Sequence, residues 1–146
     1  MSIYQNISVA IDIESQYEKV ISKALDVAQS PSKVSLIHVI MPSVYVQAYL
    51  YGMPNNFVDD GERVANAKKK LQEIASEYGI DTNKVYVKCG DVADEIKQLA
   101  SENHADLIVM GTHGRSGFKR LLGSTANAVL HGVQHDILAV RMHDDE

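Results

Sequence analysis

Five short runs of apolar, largely β-branched residues stand out along the chain: Ile7 to Ile11, Val34 to Ile40, Val85 to Cys89, Leu107 to Met110 and Asp136 to Val140. Each has strand length, and several are apolar on both faces, as the strands of a covered parallel sheet must be. Helical spacing fills the intervals. Tyr17, Val20, Ile21, Ala24, Val27 and Ala28 recur on one face behind Ser15, with Glu18 placed to complete a capping box. Val64, Ala67, Leu71, Ile74, Ala75 and Tyr78 repeat the pattern, and Gly79 is placed to end that helix. A third helix is predicted from about Asp91 through Ile96, Leu99 and Ala100, and a fourth from Ser124 through Ala128 and Val129. Strict alternation of strand and helix, without repeats or low-complexity stretches, predicts an α/β fold: a doubly wound five-stranded parallel sheet with helices on both faces. In the strand order 3-2-1-4-5, strands one and four are neighbours where the winding reverses, and ligands favour the crevice at their carboxyl ends. One interval breaks the rhythm. Residues 41–61 carry Pro42, Gly52 and Pro54 among Tyr45, Tyr49, Tyr51, Met53 and Phe57, more chain than a connection requires. A packed flap and a ligand or partner surface are both open for it.

Composition narrows the class. The 146 residues make one domain, 1–146, large enough to bury roughly 70% of the surface of the unfolded chain. The single cysteine, Cys89, has no internal disulfide partner, and no Cys/His cluster has zinc spacing. Cys89 is expected to be a small buried residue rather than a reactive thiol, and His38 a satisfied core or edge histidine. The amino end lacks a basic stretch followed by a long apolar one, and no apolar run approaches a membrane span, so a cytoplasmic protein is expected. A formal net charge of -5 disfavours nucleic acid as a partner.

The chemistry concentrates after the fourth run. Asp106 to Met110 gives way at once to Gly111-Thr-His-Gly114-Arg-Ser-Gly-Phe-Lys-Arg-Leu-Leu-Gly123-Ser124. A strand, a glycine-rich loop and a helix start in succession hold phosphate well, because glycine lets backbone N–H groups approach an anion and the helix dipole favours negative charge. The first strand-to-helix turn, Asp12-Ile13-Glu14-Ser15, holds no glycine, so a dinucleotide fingerprint is absent there, and no P-loop occurs. Asp12 would face the glycine loop across the switch point.

Taken together, Ile7-Ser-Val-Ala-Ile-Asp12, Val34-Ser-Leu-Ile-His-Val39, Gly90-Asp91, Ala105-Asp-Leu-Ile-Val-Met-Gly-Thr-His-Gly114 and Asp136-Ile-Leu-Ala-Val140 resemble a universal stress protein over essentially the whole chain. The resemblance is to the nucleotide-binding branch, whose pattern is Gly, two residues, Gly, nine residues, Gly, then Ser or Thr. Here residues 115–122 make the second spacing eight. The resemblance implies ATP as the cofactor, with Mg²⁺ or Mn²⁺ held mainly by the phosphates. It assigns Asp12 to the ribose, Val39 to the adenine edge and Gly111, Gly114, Gly123 and Ser124 to the phosphates, with Arg115 and Thr125 also at the nucleotide. It further implies a homodimer in which Ile137, Leu138, Ala139, Val140 and Arg141 of the last strand pair with a second copy.

Each assignment has a plainer competitor. Asp12 could simply accept hydrogen bonds in its turn, Val39 could simply pack, and Ser124 could be only an N-cap. His113, Arg115, Lys119 and Arg120 could be solvated side chains. The sequence therefore supports a nucleotide-responsive homodimeric regulator, against a nucleotide-free dimeric interaction module favoured by the shorter loop. No paired carboxylates, activated nucleophile or metal cluster appears at suggestive spacing, which leaves weak ATP hydrolysis as the least favoured reading.

Overall fold

β1 (Ile7–Ala10) is buried at every position because it lies between two parallel neighbours and under helices on both faces. This is a computed structural model, describing residues 3–42, 60–112 and 135–142. β2 (Val34–Ile40), β3 (Val85–Cys89), β4 (Leu107–Gly111) and β5 (Asp136–Val140) complete one parallel sheet in the order β3-β2-β1-β4-β5. That is the predicted 3-2-1-4-5 arrangement.

Alternation along each strand sorts the core into two layers. Ile7, Val9, Val34, Leu36, Leu107 and Val109 face α1 (Tyr17–Ala28) and α2 (Asp60–Glu77), which contribute Ile21, Ala24, Leu71 and Ile74. On the other face, Ala10, Ile37, Ile108 and Met110 meet Ile96 and Leu99 of α3 (Val92–Glu102). Helices therefore cover both faces. Each of the larger side chains contributes about 1.5–3 kcal/mol by leaving water, so Leu71→Ala, at a position with no exposed surface, would cost about 2–5 kcal/mol.

The helix ends follow local chemistry, with one departure. At the end of α2, Gly79 adopts φ 73°, its N–H donates to Ser76 O at 3.2 Å, and Ile80 N–H donates to Ala75 O at 2.8 Å. This paired closure satisfies the last carbonyls and buries Ile80. Asp91 caps α3 by accepting from the Asp94 N–H at 3.0 Å. The capping box expected at Ser15 and Glu18 does not form. The N-cap is Gln16, with no side-chain cap, while Ser15 Oγ turns back to donate to Asp12 O at 3.4 Å. The turn captures the serine, and Glu18 serves only as an acidic residue in the first helical turn.

α2 takes in the last two residues of the 41–61 segment, of which 43–59 lie outside the described residues. The predicted helix from Ser124 lies outside them too. Among the described residues no helix is long and apolar enough to cross a membrane.

Candidate functional site

The strands do not end level. β1 stops at Ala10, and its last link to β2 is Ile11 N–H to Ile37 O at 2.9 Å, whereas β2 continues to Ile40 beside β3. The chain after β1 turns away through Asp12, and a cavity of about 470 Å³ opens at the carboxyl ends of β1, β2 and β4. Its size falls in the range of about 300–1,000 Å³ usual for small-molecule clefts. Its position is the switch point that the strand order predicts. Val20 and Met142 line it on the α1 side, Val92 and Ile96 on the α3 side, and Asp12, Glu14, Arg63 and Asn66 bring polarity.

Asp12 sits on the cavity wall as part of a tight turn. Its Oδ1 accepts from Glu14 N–H at 3.0 Å and its carbonyl accepts from Ser15 N–H at 3.0 Å. The turn reading of this residue is therefore correct, and it coexists with a cavity-facing carboxylate whose Oδ2 takes no hydrogen bond from a described residue.

Val39 is placed by backbone direction rather than by its side chain. Ile37 O faces β1, while Leu36 N–H and Ile40 O face β3, bonding Lys84 O and Gly90 N–H at 2.9 and 3.0 Å. Alternation then points the N–H and C=O of Val39 toward β1, beyond where β1 ends. No described residue bonds either group, so one donor and one acceptor are presented side by side to the cavity. The Val39 side chain packs against the α3 layer. The side chain packs, while the backbone groups of the same residue face the cavity.

Next to it, His38 is 8% exposed and its Nδ1 lies 2.9 Å from Ile11 O. Because a carbonyl only accepts, Nδ1 carries the proton of this bond. His38 is thus a satisfied buried histidine, as expected.

Gly111 closes β4 on the rim of the cavity. A Cβ there would lie 3.1 Å from Met142 Cγ and 3.4 Å from Val20 Cγ2, so a larger residue would have to push the Met142 side chain aside by a few tenths of an ångström. Thr112 follows, its N–H donating to Val140 O at 3.0 Å and its Oγ1 accepting from Met142 N–H at 3.1 Å. Gly114, Arg115, Gly123, Ser124 and Thr125, together with His113, Lys119 and Arg120, lie outside the described residues.

Arg63 and Asn66 were not legible as site residues, because on the sequence they belong to the polar face of a helix. Arg63 Nη1 donates to Met41 O at 2.8 Å and to Asp60 Oδ1 at 2.9 Å, pinning the chain that leaves β2 to the first turn of α2. Cys89, nearby at the end of β3, has its thiol pKa raised by burial first and then by the Asp60 carboxylate, against a lowering by Arg63. The half-buried thiol is thereby biased toward its neutral form and away from the nucleophilic thiolate. Among the described residues no group of three or more His, Cys, Asp or Glu side chains is placed to hold a metal ion.

Comparison with known proteins agrees with this architecture. Universal stress protein A homolog 1 of Coxiella burnetii is 34% identical over 142 residues, spanning 97% of this chain and 99% of its own length. Homolog 2 of the same organism is 35% identical over 146 residues, spanning 97% and 98%. Among solved structures, hypothetical protein MJ0577 superposes with a TM-score of 0.71 at 22% identity, covering 97% of this chain and 99% of that one. A universal stress protein in complex with cAMP superposes with a TM-score of 0.58 at 24% identity, covering 95% and 98%. Residues 3–141 match the universal stress protein family itself, and with relatives of this similarity along nearly the full length, the chain belongs to that family.

Proposed function

We propose that this protein binds ATP or a related adenine nucleotide in the crevice between β1, β2 and β4, and acts in the cytoplasm as a nucleotide-responsive homodimer in stress regulation. The observation that carries the reading is that the backbone N–H and C=O of Val39 face the cavity with no partner among the described residues. A donor and an acceptor side by side match an adenine edge, which offers a ring nitrogen and an amino hydrogen at the same spacing. Asp12 beside it offers a carboxylate to ribose hydroxyls. A relative of the same fold in complex with cAMP, itself an adenine nucleotide, supports the choice of base. Gly111, Gly114, Gly123 and Ser124 would hold the phosphates through backbone N–H groups, with Arg115 and Thr125 alongside. Mg²⁺ or Mn²⁺ would be held mainly by those phosphates. Charge-assisted hydrogen bonds of about 1.5–3 kcal/mol each make three or four of them sufficient for useful affinity.

β5 supports the dimer. Val140 O faces β4 through Thr112 N–H, so Ile137 and Ala139 turn their backbone groups to the open edge, where a second copy could pair.

The direct test is to denature freshly purified protein and run the supernatant on an anion-exchange column. Adenine nucleotide near one equivalent per chain is expected. A blank column, repeated after incubation with ATP and Mg²⁺, would instead favour a dimeric interaction module without nucleotide, the reading to which the eight-residue spacing between Gly114 and Gly123 points.

A further inference from the structure

In a parallel ladder that continued one step further, the Val39 N–H would donate to the carbonyl of Ile11. The register requires it: Ile11 N–H already bonds Ile37 O at 2.9 Å, and the next rung runs from residue 39 back to residue 11. That rung is missing. The carbonyl of Ile11 is taken by the Nδ1–H of His38, 2.9 Å away, from a ring that is 8% exposed and packed on the face of α1 and α2. One buried side chain therefore bonds the carbonyl to which the next rung of the ladder would run.

We infer that His38 is a positioning residue for ligand recognition: by taking the Ile11 carbonyl, its imidazole keeps the Val39 amide unpaired and available to a bound base. The inference deepens the nucleotide reading and rests on it for the identity of the ligand, although its structural half does not. A histidine performs this task because the ring reaches sideways from β2 across to the end of β1 and puts an N–H donor on the Ile11 carbonyl. The geometry explains two features together, a buried polar side chain in the middle of an apolar strand and an unpaired backbone group two residues before the strand's exit. Leucine or phenylalanine at residue 38 would fill the same volume and leave the Ile11 carbonyl for Val39.

The experiment compares the full-length protein with His38→Phe and His38→Asn, the asparagine placing an amide N–H near the position of Nδ1. Amide hydrogen exchange is read at Val39 without ligand, and binding is measured for ATP and for inorganic triphosphate. In the unsubstituted protein and in His38→Asn the Val39 amide is expected to exchange fast, and in His38→Phe at least about tenfold more slowly, as the ladder closes. ATP affinity is expected to fall about fivefold or more in His38→Phe, as for a lost hydrogen bond, to recover in His38→Asn, and to leave triphosphate unaffected. Val39 exchange that is unchanged or faster in His38→Phe overturns the inference whatever the ligand result. Slowed exchange with ATP and triphosphate weakened equally overturns the link to the base. Failure of the unsubstituted protein to bind ATP, with Val39 exchange behaving as expected, overturns the nucleotide reading while the positioning role stands.

Discussion

The two ends of the sheet are built from the same materials and do opposite things. At the amino ends of the strands, Asp106 accepts from Gln5 N–H at 2.9 Å and from Asn6 N–H at 3.0 Å, while its own N–H donates to Asn6 O at 2.8 Å. Asn6 Nδ2 donates in turn to the carbonyls of Asn103 and His104, and Tyr4 Oη donates to Asp136 Oδ2 at 2.7 Å. Segments far apart in sequence are tied across β1, β4 and β5. At the carboxyl ends the hydrogen bonds of Asp12 stay inside its own turn, and the ladder between β1 and β2 is cut short by His38. Polar groups at one end are spent on each other, and at the other they line an open cavity. The hydrogen-bonded end and the open end are thus separated by the length of the strands, with the core between them.

Equivalent substitutions at the two ends should break this symmetry in opposite directions. Asp106→Ala removes the acceptor of two backbone N–H groups, and although water replaces part of the loss at this exposed residue, stability should fall by about 1–3 kcal/mol in denaturant titration. ATP binding by the folded fraction should be unchanged. Asp12→Ala loses only the Glu14 N–H bond within the turn, so about 0.5–1 kcal/mol of stability is expected to go, while affinity for ATP falls by more than affinity for inorganic phosphate. Calorimetric titration with each ligand reads the difference, and equal losses would take Asp12 away from the ribose.

The edge of the sheet sharpens the contrast further. Leu138 packs on the core, so a charge placed there would disturb the fold as well as any dimer. Ala139→Pro is the cleaner change, because its N–H faces away from β4 and proline there removes a donor only from the open edge. Sedimentation should shift toward monomer with the melting temperature of dilute protein little altered; an unmoved profile would place the dimer elsewhere.

The smallest effect is set by pH. The Tyr4 phenol has its pKa raised, first by donating to Asp136 and then by burial and by the nearby carboxylates of Asp136 and Asp106. Its contribution is present below the ordinary phenol pKa and is lost as pH rises through the raised value. Thermal melts from about pH 8 to about pH 11 should show a small alkaline decline that Tyr4→Phe flattens.

Much of this was legible in one dimension. The five apolar runs became the five strands with ends shifted by one residue at most, and Gly79 and Asp91 sit at the helix ends that their chemistry predicts. The Ser15 capping box failed because Asp12, three residues earlier, offered its carbonyl to the same hydroxyl. Arg63 and Asn66 gave no signal, since a polar residue on a helix does not reveal that the strand opposite runs past its neighbour.

Sequence by itself determined which segments are strands, that helices cover both faces, and that Gly111 and Asp12 stand at the exits of β4 and β1, because these depend on periodicity and on the backbone freedom of single residues. Only the tertiary structure decided that the backbone N–H and C=O of Val39 have no partner among the described residues, that His38 holds the Ile11 carbonyl and that Arg63 anchors Met41. Those outcomes depend on how far one strand extends past another, and a hydrogen bond between neighbouring strands belongs to the pair rather than to either residue.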